Sequence, residues 1–288
     1  MISDDQEEFI LSHAYIPEHS VHLMAAVSEG QPFLMENYLC FQKEDWMIVV
    51  GYPLNKPFLP DEFEEAFEKM RKTFQPRYAS VMAPEVPPGL RTDCRNMEKD
   101  AYYMLDPQSM HLKADLKRAV KKTSERLRVE RSDSFLPAHR KLMQEFLERV
   151  KPEARVKELL LKMPDYVQTT KNALVLNAWE PQNRGADRLA AFFVIDLEPR
   201  RFSTYVIGCR STETYAAGAS DLLMSETVRI SRERGKDHVH LGFGVNPGIR
   251  RFKQKWGGVA GPGYEMCDLV LKKPSVLETL LALGKKIS

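Results

Sequence analysis

Residues 202–256 read FSTYVIGCRSTETYAAGASDLLMSETVRISRERGKDHVHLGFGVNPGIRRFKQKW, and the fold turns on this stretch. Phe202 to Cys209 is strand-like, and a turn of small residues from Ser211 to Ser220 leads directly into a helix that stops at Gly235. Asp237 to Phe243 is a second strand, Gly248 to Trp256 a short basic helix, and Tyr264 to Leu271 a last strand. Small residues at a helix start let a ligand approach the backbone, where free amides and the helix dipole favour an anion such as a pyrophosphate. Tyr215, Ala217, Gly218, Ala219 and Ser220 are therefore candidate ligand-binding residues. The alternative is an ordinary small-residue start capped by Ser220 or Asp221.

Upstream, strands follow a helix (Pro137 to Val150) at Ala173 to Trp179 and Leu189 to Leu197. The first half carries a similar pattern. Phe33 to Phe41 and Trp46 to Tyr52 read as a hairpin pair, and Asp61 caps a helix with Phe63, Ala66, Phe67 and Met70 at helical spacing. Tyr78 to Met82 and Ala101 to Leu105 are strands, and a basic helix through Leu112, Leu116 and Val120 precedes a strand from Arg126 to Arg131. Both halves give strand, strand, helix, strand, helix, strand, the first half adding only the Ala101 strand. Hairpins mixed with helices point to an α+β, or mixed α/β, sheet in each of two tandem domains, 1–133 and 134–288.

Apolar residues make up 43% and charged residues 28% of the 288 positions, the balance of a globular protein with a core. A formal net charge of +2 excludes a global positive field, so phosphate or nucleic-acid contact must come from local clusters and DNA is not an expected partner. Cys40, Cys94, Cys209 and Cys267 have no paired spacing and read as reduced thiols. The acidic start lacks a signal-peptide pattern, and no apolar run approaches the roughly 20 residues that span a bilayer. A cytoplasmic protein is expected, with peripheral membrane contact as its only membrane association.

Four cations, Arg250, Arg251, Lys253 and Lys255, fall in six positions of the last short helix. Arg250 and Lys253 share one side and Phe252 and Trp256 another, so the aromatics would anchor the helix and leave cations over a cleft. The alternative is a solvated basic face. Lys117, Arg118, Lys121 and Lys122 form a second basic cluster, suited to tRNA, a nucleotide-linked acceptor or an anionic headgroup, or simply to solvent. Glu226 sits in the apolar stripe of Ala219, Leu222, Leu223 and Ile230, so it is either an arginine's structural partner or a candidate base. His238 and His240 alternate on one strand face, and a neutral imidazole there could accept a proton from an amine. Glu18, His19 and His22 have helical spacing but suggest a surface helix, and no metal is expected.

The order strand, small-residue turn, helix, strand, short helix resembles the core of the GNAT acyl-CoA N-acyltransferase superfamily. Of its turn motif only the central glycine, Gly218, is kept, with Tyr215 and Ser220 at the other two places. Residues 248–258, GIRRFKQKWGG, look like the segment near the end of Fem-type peptidoglycan aminoacyltransferases and phosphatidylglycerol lysyltransferase domains. Asp100 to Asp106, the basic run after Leu116, and the hairpin from Asn37 to Pro53 resemble other parts of those proteins. The resemblance spans Phe33 to Leu271 and implies two GNAT-type domains, with the second holding the donor. It further implies an acyl- or aminoacyl-transferase with no tightly bound cofactor, using acyl-CoA or aminoacyl-tRNA as co-substrate. The acceptor would be a small molecule or a cell-envelope precursor. The lysine of Phe252-Lys253 would stabilise charge at the transferred carbonyl. A catalytically silent module of the same fold, binding a nucleotide, tRNA or another anion, is the competing expectation.

Overall fold

Residues 2–272 are described, from a computed structural model. In chain order they form α1 (Asp4–His13), α2 (Val21–Ser28), β1 (Gln31–Met35), β2 (Tyr38–Lys43), β3 (Trp46–Val50), α3 (Pro60–Phe74), β4 (Tyr78–Ala83), α4 (Pro88–Arg91) and β5 (Cys94–Leu105). There follow α5 (Ala114–Ser124), β6 (Arg128–Ser132), α6 (Pro137–Val150), α7 (Ala154–Thr169), β7 (Ala173–Glu180), β8 (Arg188–Asp196) and β9 (Phe202–Arg210). The last elements are α8 (Ala219–Glu233), β10 (His238–Phe243), α9 (Pro247–Lys255) and β11 (Val259–Val270). The architecture is mixed α/β.

The chain divides into two compact units that are not contiguous in sequence. Among the described residues, one holds Gly30–Lys99 and Gly263–Lys272; the other holds Ser3–Glu29 and Asp100–Pro262. The boundary expected near residue 133 falls inside the second unit, between β6 and α6. Residues 273–288 of the domain expected over 134–288 lie outside the described residues.

In the first unit the strand order is β1-β2-β3-β4-β11. β1 to β3 are antiparallel, β3 and β4 run parallel through the α3 crossover, and β11 closes antiparallel on β4. Phe63, Ala66, Phe67 and Met70 bury one face of α3 against Cys40, Met47, Val49 and Val81. Pro60 takes the first helical position and Leu59 the cap, so the helix begins before the expected Asp61. The expected Phe33–Phe41 strand is two strands, because Glu36 turns the chain at φ +56°. Cys94 and Cys267 are disulfide-bonded, with Cα atoms 5.5 Å apart, which corrects the reading of four free thiols. They lie on strands far apart in sequence, so spacing gave no sign of the bond. Cys40 and Cys209 are free and buried, and burial pushes both thiols up to about 12.

The second unit orders its strands β5-β10-β9-β8-β7-β6. β7 to β9 are antiparallel, β9 and β10 run parallel through the α8 crossover, and β5 closes antiparallel on β10. Its run β7-β8-β9-β10-β5 thus repeats the pairing pattern of β1-β2-β3-β4-β11. The first unit is discontinuous because its closing strand, β11, comes from late in the chain, and the second because it also holds Ser3–Glu29. α7 lies where the sequence reading places no element. Its Leu160, Met163, Tyr166 and Val167 are buried at helical spacing, with Pro164 inside the helix. The surface helix expected around His19 and His22 is also corrected. His19 is fully buried in a short 3-10 turn, Pro17–His19, before α2.

Candidate active site

The site is built where β9 and β10 part. Their parallel pairing runs His238↔Phe202, Val239↔Ser203 and His240↔Thr204, and stops. Beyond that point β9 continues on β8 as far as Arg210, while β10 continues on β5 to Phe243↔Tyr102. The last matched pair carries two orphaned atoms. His240 Nε2 and Thr204 Oγ1 are both buried without a hydrogen-bond partner among the described residues. Buried polar atoms normally find partners, so two of them at one parting point are a candidate place for a ligand's polar groups.

β10 is irregular between His240 and Phe243, with Gly242 in the left-handed region at φ +70°, a conformation glycine adopts without strain. The Gly242 N–H donates to His240 Nδ1 at 3.2 Å. Nδ1 is therefore the acceptor, and the neutral ring carries its proton on Nε2. Burial and the neighbouring charges of His238 and Lys253 push the His240 pKa well down, keeping the ring neutral. The free nitrogen of His240 is thus a donor in this tautomer, whereas the sequence reading offers the ring as a proton acceptor.

Asp100 fixes the turn after β10, accepting from the Gly244 N–H at 3.1 Å and the Val245 N–H at 3.0 Å. Val245 sits at φ +45°, a strained conformation for a β-branched residue. Asn246 then caps α9 by accepting from the Ile249 N–H at 3.0 Å, with Pro247 in the first turn. α9 does not present Lys253 to solvent as expected. Lys253 is its buried residue, 4% exposed, and Nζ donates to the Phe243 carbonyl. The ammonium lies 5.7 Å from the centre of the Tyr103 ring. Burial lowers its pKa to about 7, partly opposed by the Asp100 carboxylate. Trp256 is buried as expected, Phe252 is half-buried beneath Lys255, and Arg250 is exposed.

Three further residues, not found from the sequence, join this group. Tyr102 is fully buried, its ring centre 4.8 Å from that of His240 in an edge-on arrangement, and its hydroxyl donates to Glu18 at 2.8 Å. Burial pushes Glu18 up to about 7, the Tyr102 bond opposing. Nothing in the local pattern links Glu18 to β5, so only the fold reveals the contact. Asp100, by contrast, lies in the stretch from Asp100 to Asp106 that carries part of the family resemblance.

At the start of α8, Gly218 is the cap residue at φ +85°, and no side chain caps the helix. The space its Cβ would fill is occupied by Thr123 Oγ1 of α5 at 2.4 Å, so packing alone requires this glycine. Ala219 is buried, Ser220 half-buried, and Ala217 and Tyr215 exposed, with the Arg210 guanidinium 5.6 Å from the Tyr215 ring. Asp221 accepts from Trp256 Nε1 at 3.0 Å and pairs with Lys255 at 2.6 Å, which ties α9 to the first turn of α8. Lys117, Arg118 and Lys121 are exposed on α5, and Arg118 pairs with Asp115. Glu226 is 7% exposed and pairs with Arg131 at 2.7 Å and with Arg229 at 2.7 Å. That is the structural partnership, and both its oxygens are occupied.

No protein-family model matches the sequence, and no curated protein matches it significantly. Solved structures do match. The chain is similar to the C-terminal domain of a protein described as a lysylphosphatidylglycerol synthetase from Agrobacterium fabrum. That match has 16% identity and a TM-score of 0.62, and covers 99% of this chain and 97% of the other. It is also similar to FemX, with 11% identity, a TM-score of 0.64, and coverage of 92% and 96%. The fold is GNAT-like, of the Fem and lysylphosphatidylglycerol synthetase type. A tandem GNAT protein from the clavulanic acid biosynthesis pathway matches at 8% identity and a TM-score of 0.53, over 95% and 97% of the two chains. At these identities the GNAT-like likeness is one of fold. Among the described residues, no helix is long and apolar enough to cross a membrane.

Proposed function

We propose that this chain is an acyl- or aminoacyl-transferase whose donor enters where β9 and β10 part, with Lys253 stabilising the reacting carbonyl. The observation that carries this reading is the coincidence at one point of the parted strands, the orphaned His240 and Thr204 atoms, and a buried lysine. The acceptor's amine or hydroxyl attacks the carbonyl carbon, forming the new C–N or C–O bond and a tetrahedral oxyanion. Lys253 as ammonium and His240 through Nε2–H are the donors suited to that oxyanion. Collapse breaks the C–S bond of a thioester, or the C–O bond of an aminoacyl ester, and the leaving atom takes up a proton. Glu18, with its pKa near 7, has the proton affinity to hold the acceptor's proton in the interval, reached through the Tyr102 hydroxyl.

An acyl-CoA fits the parted strands better than a charged tRNA. A pantetheine arm is narrow and carries amides that would partner Thr204 and His240. The α8 start at Gly218 and Ser220, with no side-chain cap, suits its phosphates. The repeated pairing pattern supports a tandem GNAT origin, and the acceptor belongs to the small-molecule or envelope-precursor class. An intracellular setting follows from this donor. The exposed cations Lys117, Arg118 and Lys121 favour the second reading, a silent module that binds an anion. Thermal-shift and native mass spectrometry with acyl-CoAs and charged tRNA test the donor. Stabilisation by coenzyme A thioesters is expected. Binding of charged tRNA alone would move the donor, and binding without turnover on any amine would favour the silent module.

A further inference from the structure

A second set of buried ionisable groups lies outside this site. Glu198, just after β8, is buried, and it faces His22 at the start of α2 and Glu7 on α1. His22 Nδ1 bonds to Glu198 Oε1 and lies 3.7 Å from Glu7 Oε1, and one ligand atom from each residue lies within 4.8 Å of the others. The edge of a tetrahedron around a zinc-type ion is about 3.4 Å, given bonds of roughly 2.1 Å, so small side-chain shifts would suffice. The other Glu198 oxygen is held by the Ser20 hydroxyl and by the His22 N–H at 3.3 Å. Such bonds orient a carboxylate with one oxygen directed outward, as supporting residues do at metal centres.

Two independent observations point to a missing cation. Asp196, two residues before Glu198, is fully buried, and its Oδ2 has no partner among the described residues; its Oδ1 accepts from Tyr166 and from the Glu198 N–H. Asp196 Oδ2 thus stays unpartnered beside Glu198, while the nearby Lys236 ammonium is bonded to the Leu197, Pro199 and Arg200 carbonyls instead. A cavity of about 530 Å³, lined by Glu7, Glu198, Arg200, Arg234 and Lys236 among others, opens onto the same group. It gives an ion access and room for a water or anion as remaining ligand.

We propose that Glu7, His22 and Glu198 form a site for one divalent transition-metal ion of the zinc type, with an open position toward this cavity. One imidazole nitrogen with two carboxylates suits zinc better than magnesium or calcium, which take all-oxygen sites. The ion ties α1 and α2 to the end of β8, and it reverses the expectation that no metal is bound.

The test is calorimetric titration of the chelator-treated full chain with zinc chloride, and separately with magnesium chloride. Glu7→Gln and His22→Gln are the variants, since both side chains are partly exposed and the fold should tolerate them. One zinc equivalent is expected, with magnesium binding at least about 100-fold weaker and each variant weakening zinc about 10-fold or more. Zinc should raise the melting temperature of the parent chain and not that of the double variant. Absence of zinc binding, equal binding by the double variant, or an anomalous-scattering peak away from His22 would each overturn the site. Magnesium binding as tight as zinc would overturn its chemistry.

Discussion

Two crossovers in this molecule have the same connectivity and opposite interiors. β3-α3-β4 pairs its parallel strands from Trp46↔Tyr78 to Val50↔Met82, and the Gly51 N–H extends the ladder to the Met82 carbonyl at 2.7 Å. β9-α8-β10 pairs over three residues and then parts. In the first unit Ser80 is the only buried polar or charged residue among those described. The second unit buries Asp196, Glu198, Lys236, His240 and Lys253. Closed pairing lets a sheet be filled with apolar side chains. At the parting, Thr204 Oγ1 and His240 Nε2 are left without a partner among the described residues. The proposed chemistry is therefore placed at the second crossover.

The comparison breaks most readily at Lys253. Lys253→Ala is expected to lower turnover by about 10²–10³, the usual loss for one oxyanion stabiliser. Because only the ammonium serves this role, activity should decline as pH rises through about 7. Stability moves the other way. Burial holds the folded pKa near 7, against 10.5 for an ordinary lysine, so between these values the unfolded chain binds a proton that the folded chain does not. Stability should thus rise with pH across that window, and Lys253→Met should flatten the rise in denaturant titrations at several pH values. A Lys253→Met chain with the parent's slope would place the ammonium in water and remove the contrast with the first crossover.

Thr204→Val addresses the parted strands directly. The hydroxyl has no partner to lose, so melting temperature should hold or rise slightly. Donor affinity should fall about 10-fold, the order expected for one lost neutral hydrogen bond. Unchanged donor affinity would mean that the parting is not where the donor sits. Glu226→Gln should act on stability alone. It deprives Arg131 and Arg229 of a counter-charge, but these are 36% and 60% exposed and regain water. The cost is expected at about 1–2 kcal/mol, or roughly 3–6 °C of melting temperature. A turnover loss exceeding about 10-fold would restore Glu226 to the mechanism.

The elements of the second crossover were legible because residues 202–243 carry strong local signals: β-branched runs, a small-residue turn, an apolar helical stripe and Gly235. Lys253 was legible only through the Phe252-Lys253 resemblance, because helical spacing placed it with the exposed Arg250. Its burial depends on the β10 irregularity at Gly242 and on the Asp100-braced turn, and neither has a local signature. Glu18, His22 and the Cys94–Cys267 bond were missed for one reason: each joins segments remote in sequence. The boundary expected near residue 133 had no local sign to rest on, because β11 closes the run formed by β1 to β4 and β5 the run formed by β7 to β10.

The smallest effect is expected at Lys255, two positions from Lys253 on the same helix. Its ammonium is 43% exposed and pairs with Asp221, which is also held by Trp256 Nε1. Removing a half-exposed partner costs under about 1 kcal/mol, and the Trp256 bond keeps α9 on the first turn of α8. Lys255→Ala should therefore keep turnover within about threefold of the parent and shift the melting temperature by no more than roughly 3 °C. Measured beside Lys253→Ala, it separates burial from mere position on a basic helix. A large loss in the first variant and a small one in the second means that the buried ammonium acts on the carbonyl. Equal turnover in the two variants would take Lys253 out of the mechanism and make the parted strands a binding cleft without chemistry.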